Sequence, residues 1–180
     1  VAAEVSETPQ AVPMSWEEFG ELAEDVRGEY VDGALVVSPR GTARHQLAVA
    51  NVRELLRGFE GVALSEWAWR PAGAAREYQP DVMLLAGLDP DAHFTEEPPV
   101  LVVEVTSPSN AAKDWVRNLR DYARYGAANY WILDHGDRCL YAFTLVEGRY
   151  EPAGQGGERV EITGGALAGT VVDVPPLWRA

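Results

Sequence analysis

Two apolar runs, each carrying one acid, limit what this chain can fold into more than any other feature. PPVLVVEVTSP holds Glu104 among valines and leucines, and YQPDVMLL holds Asp81 directly after Pro80. A near-continuous apolar run marks a strand covered on both faces. A carboxylate in such a strand is costly unless a cation or hydrogen-bond donors compensate it. The chain is therefore expected to build a sheet with a layer on each side and to give both acids partners. A hairpin-like return through residues 87–99, GLDPDAHFTEEPP, would lay strands 78–85 and 100–106 side by side. Oxygen ligands from two neighbouring strands suit Mg2+ (or Mn2+), which keeps several waters and takes one or two carboxylates. A metal so held can activate a water and stabilise charge on a phosphoryl group. The blander alternatives are an arginine partner or a solvated strand end for Glu104, and a simple strand start after proline for Asp81.

The rest of the chain supplies the covering layers. Ser15 and Glu18 form a capping-box pattern ahead of apolar residues at helical spacing, which predicts a helix over 15–27. Asp32-Gly33 between two apolar runs predicts a hairpin. Residues 42–58 read as a second helix with Leu47, Val52, Leu55 and Leu56 inward, and strand-like runs follow at 62–69, 78–85 and 100–106. A third helix is expected over 110–125, capped at Gly126. NYWILDH then reads as a buried strand, and RCLYAFTLVEGRYEP as a hairpin turning at Glu147-Gly148. Strands mixed with three helices predict an α/β (α+β) domain on one central sheet. Residues 1–12 read as a flexible lead-in and 13–180 as a single domain.

Charge and cysteine usage narrow the function classes. Fifteen basic and 28 acidic residues give a formal charge of −13. That balance argues against a nonspecific DNA coat, which depends on neutralising phosphates, but leaves room for a local basic groove. Cys139 is the only cysteine, so no disulfide framework exists within the chain. With no apolar run near 18 residues and no basic-then-apolar start, neither a membrane span nor a signal peptide is expected, and the cytoplasm is the default location.

Cations cluster where the acids would need them. Lys113 is the single lysine in the chain. Lys113, Arg117, Arg120 and Arg124 recur at i, i+4, i+7 and i+11, along one face of the third helix. Lys113 and Arg117, nearest the helix start, are the better candidates for a site. The stripe as a whole, Arg120 included, is either a phosphate track or a solvated face. Glu29, before the first hairpin turn, is a further candidate carboxylate. His45 on the second helix reads more simply as a satisfied or exposed histidine than as a ligand.

WEEFGEL, EYVDGALVVSP, His45, QPDVMLL, PPVLVVEVTSPSN and KDWVRNLRDYARYGAANYWILD together resemble the Uma-type putative restriction endonucleases of the PD-(D/E)XK nuclease superfamily. The likeness covers about residues 13–175. It implies a restriction-endonuclease-like core, a central mixed β-sheet flanked by α-helices, and Mg2+-dependent hydrolysis of phosphodiesters in DNA. Asp81 falls on the family's PD aspartate and Glu104 on its glutamate, with the Val105 carbonyl as a backbone metal ligand and Glu29 sometimes counted with the site. The superfamily's lysine two residues after the glutamate is Thr106 here. The family's replacement, four residues after the helix aspartate, is Asn118. Neither has an amine, so Lys113 or Arg117 is expected to supply the charge, with Asn118 hydrogen-bonding a water or phosphate. A non-cleaving member of the same fold, binding nucleic acid or protein, is the alternative. A homodimer is expected on general grounds.

Overall fold

The computed structural model describes residues 9–22, 26, 28–39, 41–106 and 111–179, apart from the side chains of 111–114. In chain order its elements are β1 (Gln10–Pro13), α1 (Trp16–Gly20), β2 (Glu29–Val31), β3 (Ala34–Val37), α2 (Ala43–Leu56), β4 (Val62–Ser65), β5 (Val82–Leu85), β6 (Leu101–Thr106), α3 (Ala111–Arg124), β7 (Asn129–Asp134), β8 (Cys139–Val146), β9 (Arg149–Gly156), β10 (Arg159–Glu161) and β11 (Val171–Asp173).

Strands β4 to β9 form one six-stranded sheet in sequence order. Only β6 and β7 run parallel; all other neighbours are antiparallel. A parallel pair needs a crossover, and α3 provides it. Alternation along the strands then splits the apolar residues between two cores. Val82, Leu84, Leu101, Val103 and Val105 face α2 and its Ala48, Val49, Val52 and Leu56. Met83, Leu85, Val102, Tyr130 and Ile132 face the other way, toward Tyr122 of α3 and the Trp69–Tyr78 pair. The two-sided cover expected from the apolar runs is therefore present, and the sheet is mixed, as the family resemblance implied.

Both hairpin turns form at the expected residues. Asp32-Gly33 and Glu147-Gly148 carry positive φ at both central positions, the backbone that tight two-residue hairpins require. The capping box of α1 is made in both directions, Glu18 N–H to Ser15 Oγ at 3.1 Å and Ser15 N–H to Glu18 Oε2 at 2.7 Å. The described helix stops at Gly20, short of the expected residue 27; residues 23–25 and 27 lie outside the described set. Strands 62–69 and 78–85 are also shorter than expected. Glu66 sits at φ 50° and ends β4. Leu47, expected inward on α2, is 40 % exposed, because the buried stripe runs through 48, 49, 52 and 56. Of the expected lead-in, residues 10–12 belong to β1, which pairs antiparallel with β3. That pairing uses backbone groups alone, so exposed side chains gave no sign of it; residues 1–8 lie outside the described set. No helix among the described residues is long and apolar enough to cross a membrane.

Leu84 is 1 % exposed in the α2-side core. Leu84→Ala is expected to cost about 2–5 kcal/mol of stability through lost burial and the cavity left behind, measured by urea unfolding.

Candidate active site

The β5–β6 register decides where the two acids meet. Val82 pairs with Val103, so Asp81, one residue before β5, comes level with Glu104. Asp81 Oδ2 accepts the Val105 N–H at 2.7 Å, and the Asp81 N–H points to Glu104 Oε2 at 3.4 Å. Each acid is thus tied to backbone beside the other, at the end of β6 where β5 has stopped.

Each carboxyl also takes a donor from one covering layer. Glu104 shares the parity of Val102 and faces α3, where the Tyr122 hydroxyl donates to Oε1 at 2.7 Å. His45, in the first turn of α2, brings Nε2 to 3.1 Å from Asp81 Oδ1. Burial lowers the His45 pKa, with the Glu66 charge opposing, which favours a neutral ring able to donate through Nε2. Gly41 makes room for that ring: a Cβ there would lie 2.7 Å from His45 Cδ2.

Two further acids stand near. Glu66 N–H donates to the Asp81 carbonyl at 3.3 Å, and the Glu66 charge acts on Asp81. Glu29 Oε1 accepts the Gln79 N–H at 3.2 Å, while its Oε2 lies 3.6 Å from Arg117 Nη2. Arg117 in turn has Nε 3.4 Å from Asn118 Oδ1.

These surroundings favour the protonated acids. Burial, more than the Glu66 charge, pushes the Asp81 carboxyl up to about 7, against its bonds to Val105 N–H and to Glu104. Burial and then the Asp81 charge push Glu104 well above the usual carboxylate range, against the Tyr122 hydrogen bond. A divalent cation between them reverses this balance by favouring both ionised forms. Among the described residues, no three His, Cys, Asp or Glu side chains are grouped so as to hold a metal ion. A cation here would rest on the two carboxylates, backbone oxygen and water, a donor set that suits Mg2+.

Asp81 and Glu104 are brought together as expected. Arg117 and Glu29 reach the same region as a pair, and Asn118 is buried with them. Arg120 is not brought in: its side chain is 74 % exposed and sits 3.2 Å from Asp121. The Lys113 side chain lies outside the described residues. Thr106, in place of a lysine, turns its hydroxyl toward β7, 3.4 Å from Asp134 Oδ2. His45, read as a satisfied or exposed histidine, is satisfied by Asp81: 45, 49, 52 and 56 fall on one helical face, and the buried residues of α2 lie on it. The Tyr122 hydroxyl and the position of Glu66 carried no sequence signal beyond residue type.

The fold has a solved structural neighbour. A putative nuclease belonging to DUF820 from Anabaena variabilis superposes with a TM-score of 0.71 at 14 % identity, covering 92 % of this chain and 98 % of that one. The architecture is therefore a nuclease-like one. Residues 16–174 match the Uma2 family, described as putative restriction endonucleases, and the chain belongs to that family. No curated protein matches it.

An acid whose pKa is raised on folding holds its proton more tightly in the folded state than in the unfolded one. Its stabilising contribution is complete below about pH 4, the unfolded value, and is lost as pH rises through the folded value. For Asp81 that window ends near pH 7. In chelator, Tm is expected to fall between pH 4 and 8, and Asp81→Asn should flatten that fall and raise Tm at pH 8. A thermal scan series giving identical slopes for both proteins would contradict the assignment.

Proposed function

We propose that this protein is a metal-dependent endonuclease that hydrolyses phosphodiester bonds in DNA. The observation that carries the reading is the cross-tied pair Asp81 and Glu104, two buried carboxyls level with each other on adjacent strands. Membership of the family supports the class of reaction.

Asp81 and Glu104 would hold Mg2+ or Mn2+. The Val105 carbonyl is a third oxygen: in a strand, N–H and C=O of one residue face the same neighbour, and the Val105 N–H faces Asp81. The bound cation supplies an activated water and charge stabilisation at the phosphate. His45 fixes the orientation of Asp81, and the Tyr122 hydroxyl does the same for Glu104, as partners of metal ligands commonly do. Glu29 serves better as the anchor of Arg117 than as a ligand, since both its oxygens are engaged.

Arg117 takes over the electrostatic part of the absent lysine. Its guanidinium stays charged and donates hydrogen bonds but accepts no proton, so it binds and orients phosphate oxygens. Asn118 Oδ1 accepts from Arg117, which supports a role for Asn118 in holding the guanidinium. Lys113 is the remaining amine near the start of α3 and is assigned to the attacking water. Arg120, exposed on the same helix, is an outer backbone contact. Cutting both strands takes two sites, which a two-fold pair of chains would supply; a strict monomer by light scattering would count against that pairing.

Nicking of supercoiled plasmid in Mg2+ or Mn2+ is expected to fall to background in Asp81→Ala and in Glu104→Ala, and activity surviving both would sink the proposal. His45→Ala is expected to lower it by about 10- to 100-fold, and Arg117→Ala by about 100-fold or more.

The missing amines favour one other reading, binding without cleavage. Asn118→Lys separates the two: cleavage that appears only in this variant would mark the natural chain as a binder.

A further inference from the structure

Three arginines converge on a cavity beside the proposed site. Arg44 comes from the first turn of α2, Arg138 from the β7–β8 turn and Arg179 from the chain's last described residue. With Leu47, His135 and Trp178 they line a space of about 230 Å³. All three arginines are exposed, and none forms an ion pair among the described residues. The convergence is notable in a chain of net charge −13.

The wall between them is built rather than incidental. His135 stacks on Trp178, with ring centroids 5.5 Å apart and the ring planes meeting at 21°. Asn51 of α2 donates to the Leu177 and Arg179 carbonyls at 3.3 and 2.9 Å, fixing the end of the chain against the helix. Arg138 sits at φ 53°, a left-handed conformation unusual for arginine. His135 Nδ1 and Trp178 Nε1 are both buried without a hydrogen-bond partner. Such groups are rare and mark places where water or a ligand completes the bonding. Acids are close as well: Asp134 and Asp137 flank His135, but they are occupied by Thr106, the Asp137 N–H and Tyr141.

The cavity touches the proposed site at two points. Arg44 precedes His45, whose Nε2 is 3.1 Å from Asp81. The His135 N–H donates to the carbonyl of Thr106, two residues beyond Glu104 on β6. At 3.3 Å of rise per strand residue, the cavity lies on the order of 10 Å from the carboxyl pair, about the axial rise of three base pairs of a duplex.

We infer that Arg44, Arg138 and Arg179 form a phosphate-binding pocket that grips the DNA backbone a few nucleotides from the bond to be cut. This rests on the nuclease reading for its substrate. Guanidinium forks match phosphate oxygens in pairs, and three forks from three elements enclose one phosphate from different sides. The pocket gives an acidic protein a local foothold on a polyanion.

The test is binding of a labelled DNA duplex in Ca2+-free chelator, where no cutting occurs, across a salt series. The combined variant Arg44→Gln, Arg138→Gln, Arg179→Gln should weaken binding about 10- to 100-fold and lower the salt slope by about 2–3, since each phosphate contact contributes about 0.9. A control with equal charge loss elsewhere, Arg57→Gln, Arg149→Gln, Arg159→Gln, should change neither by as much. The triple lysine variant at 44, 138 and 179 should restore the slope. Far-UV CD and Tm on every variant establish that it is folded. Equal losses in the control, or an unchanged slope in the pocket variant, would overturn the pocket. Competition by inorganic phosphate that removes the pocket's effect without any loss of duplex binding would assign it to free phosphate and overturn it as a DNA contact. Failure of the nuclease reading looks different: duplex bound through the arginines and never cut with Mg2+ or Mn2+.

Discussion

The hydrogen bond from the Val105 N–H to Asp81 holds the candidate site and the sheet to one arrangement. It crosses from β6 to the residue just before β5 and is answered by the Asp81 N–H pointing at Glu104. A slip of one residue between β5 and β6 would turn Glu104 into the α2 core and bring Val105 to the α3 side. Both apolar faces would then be wrong at once. The register that buries valines correctly is therefore the same register that brings the acids level.

This arrangement is costly in the absence of a cation. Two carboxyls sit among apolar layers, and burial raises both above their ordinary range. The donors present, His45, Tyr122 and two backbone N–H groups, satisfy oxygens but carry no full charge. Structural acids in a protein interior are usually matched by arginine or lysine. Here the Arg117 guanidinium is matched to Glu29 instead. A positive partner would offset that cost, which is the physical content of the proposed function.

Positive groups are rationed around it. Arg117 lies on the α3 side, while Arg44, Arg138 and Arg179 lie toward the α2 side and the chain end. Arg120 and Arg57 are exposed and paired with neighbouring acids on their own helices. In a chain of net charge −13, which repels polyanions generally, three arginines around one cavity are a local exception.

Much of this was legible from residue order. Apolar runs with one acid each specified a sheet covered on both sides, and the paired turn residues at 32–33 and 147–148 specified two hairpins, because these are local consequences of burial and backbone conformation. The pairing of Asp81 with Glu104 was legible as soon as residues 87–99 read as a return. What composition and spacing left open was which side chains from the covering layers meet the acids. His45 and Tyr122 come from helices on opposite faces of the sheet, Glu66 from a strand end at positive φ, and Arg44, Arg138 and Arg179 from three distant segments. Those meetings depend on how helices sit over the sheet, and helix placement is set by the sum of core packing rather than by any short stretch of sequence. The sequence determined that two acids would be buried together; the tertiary structure decided what surrounds them.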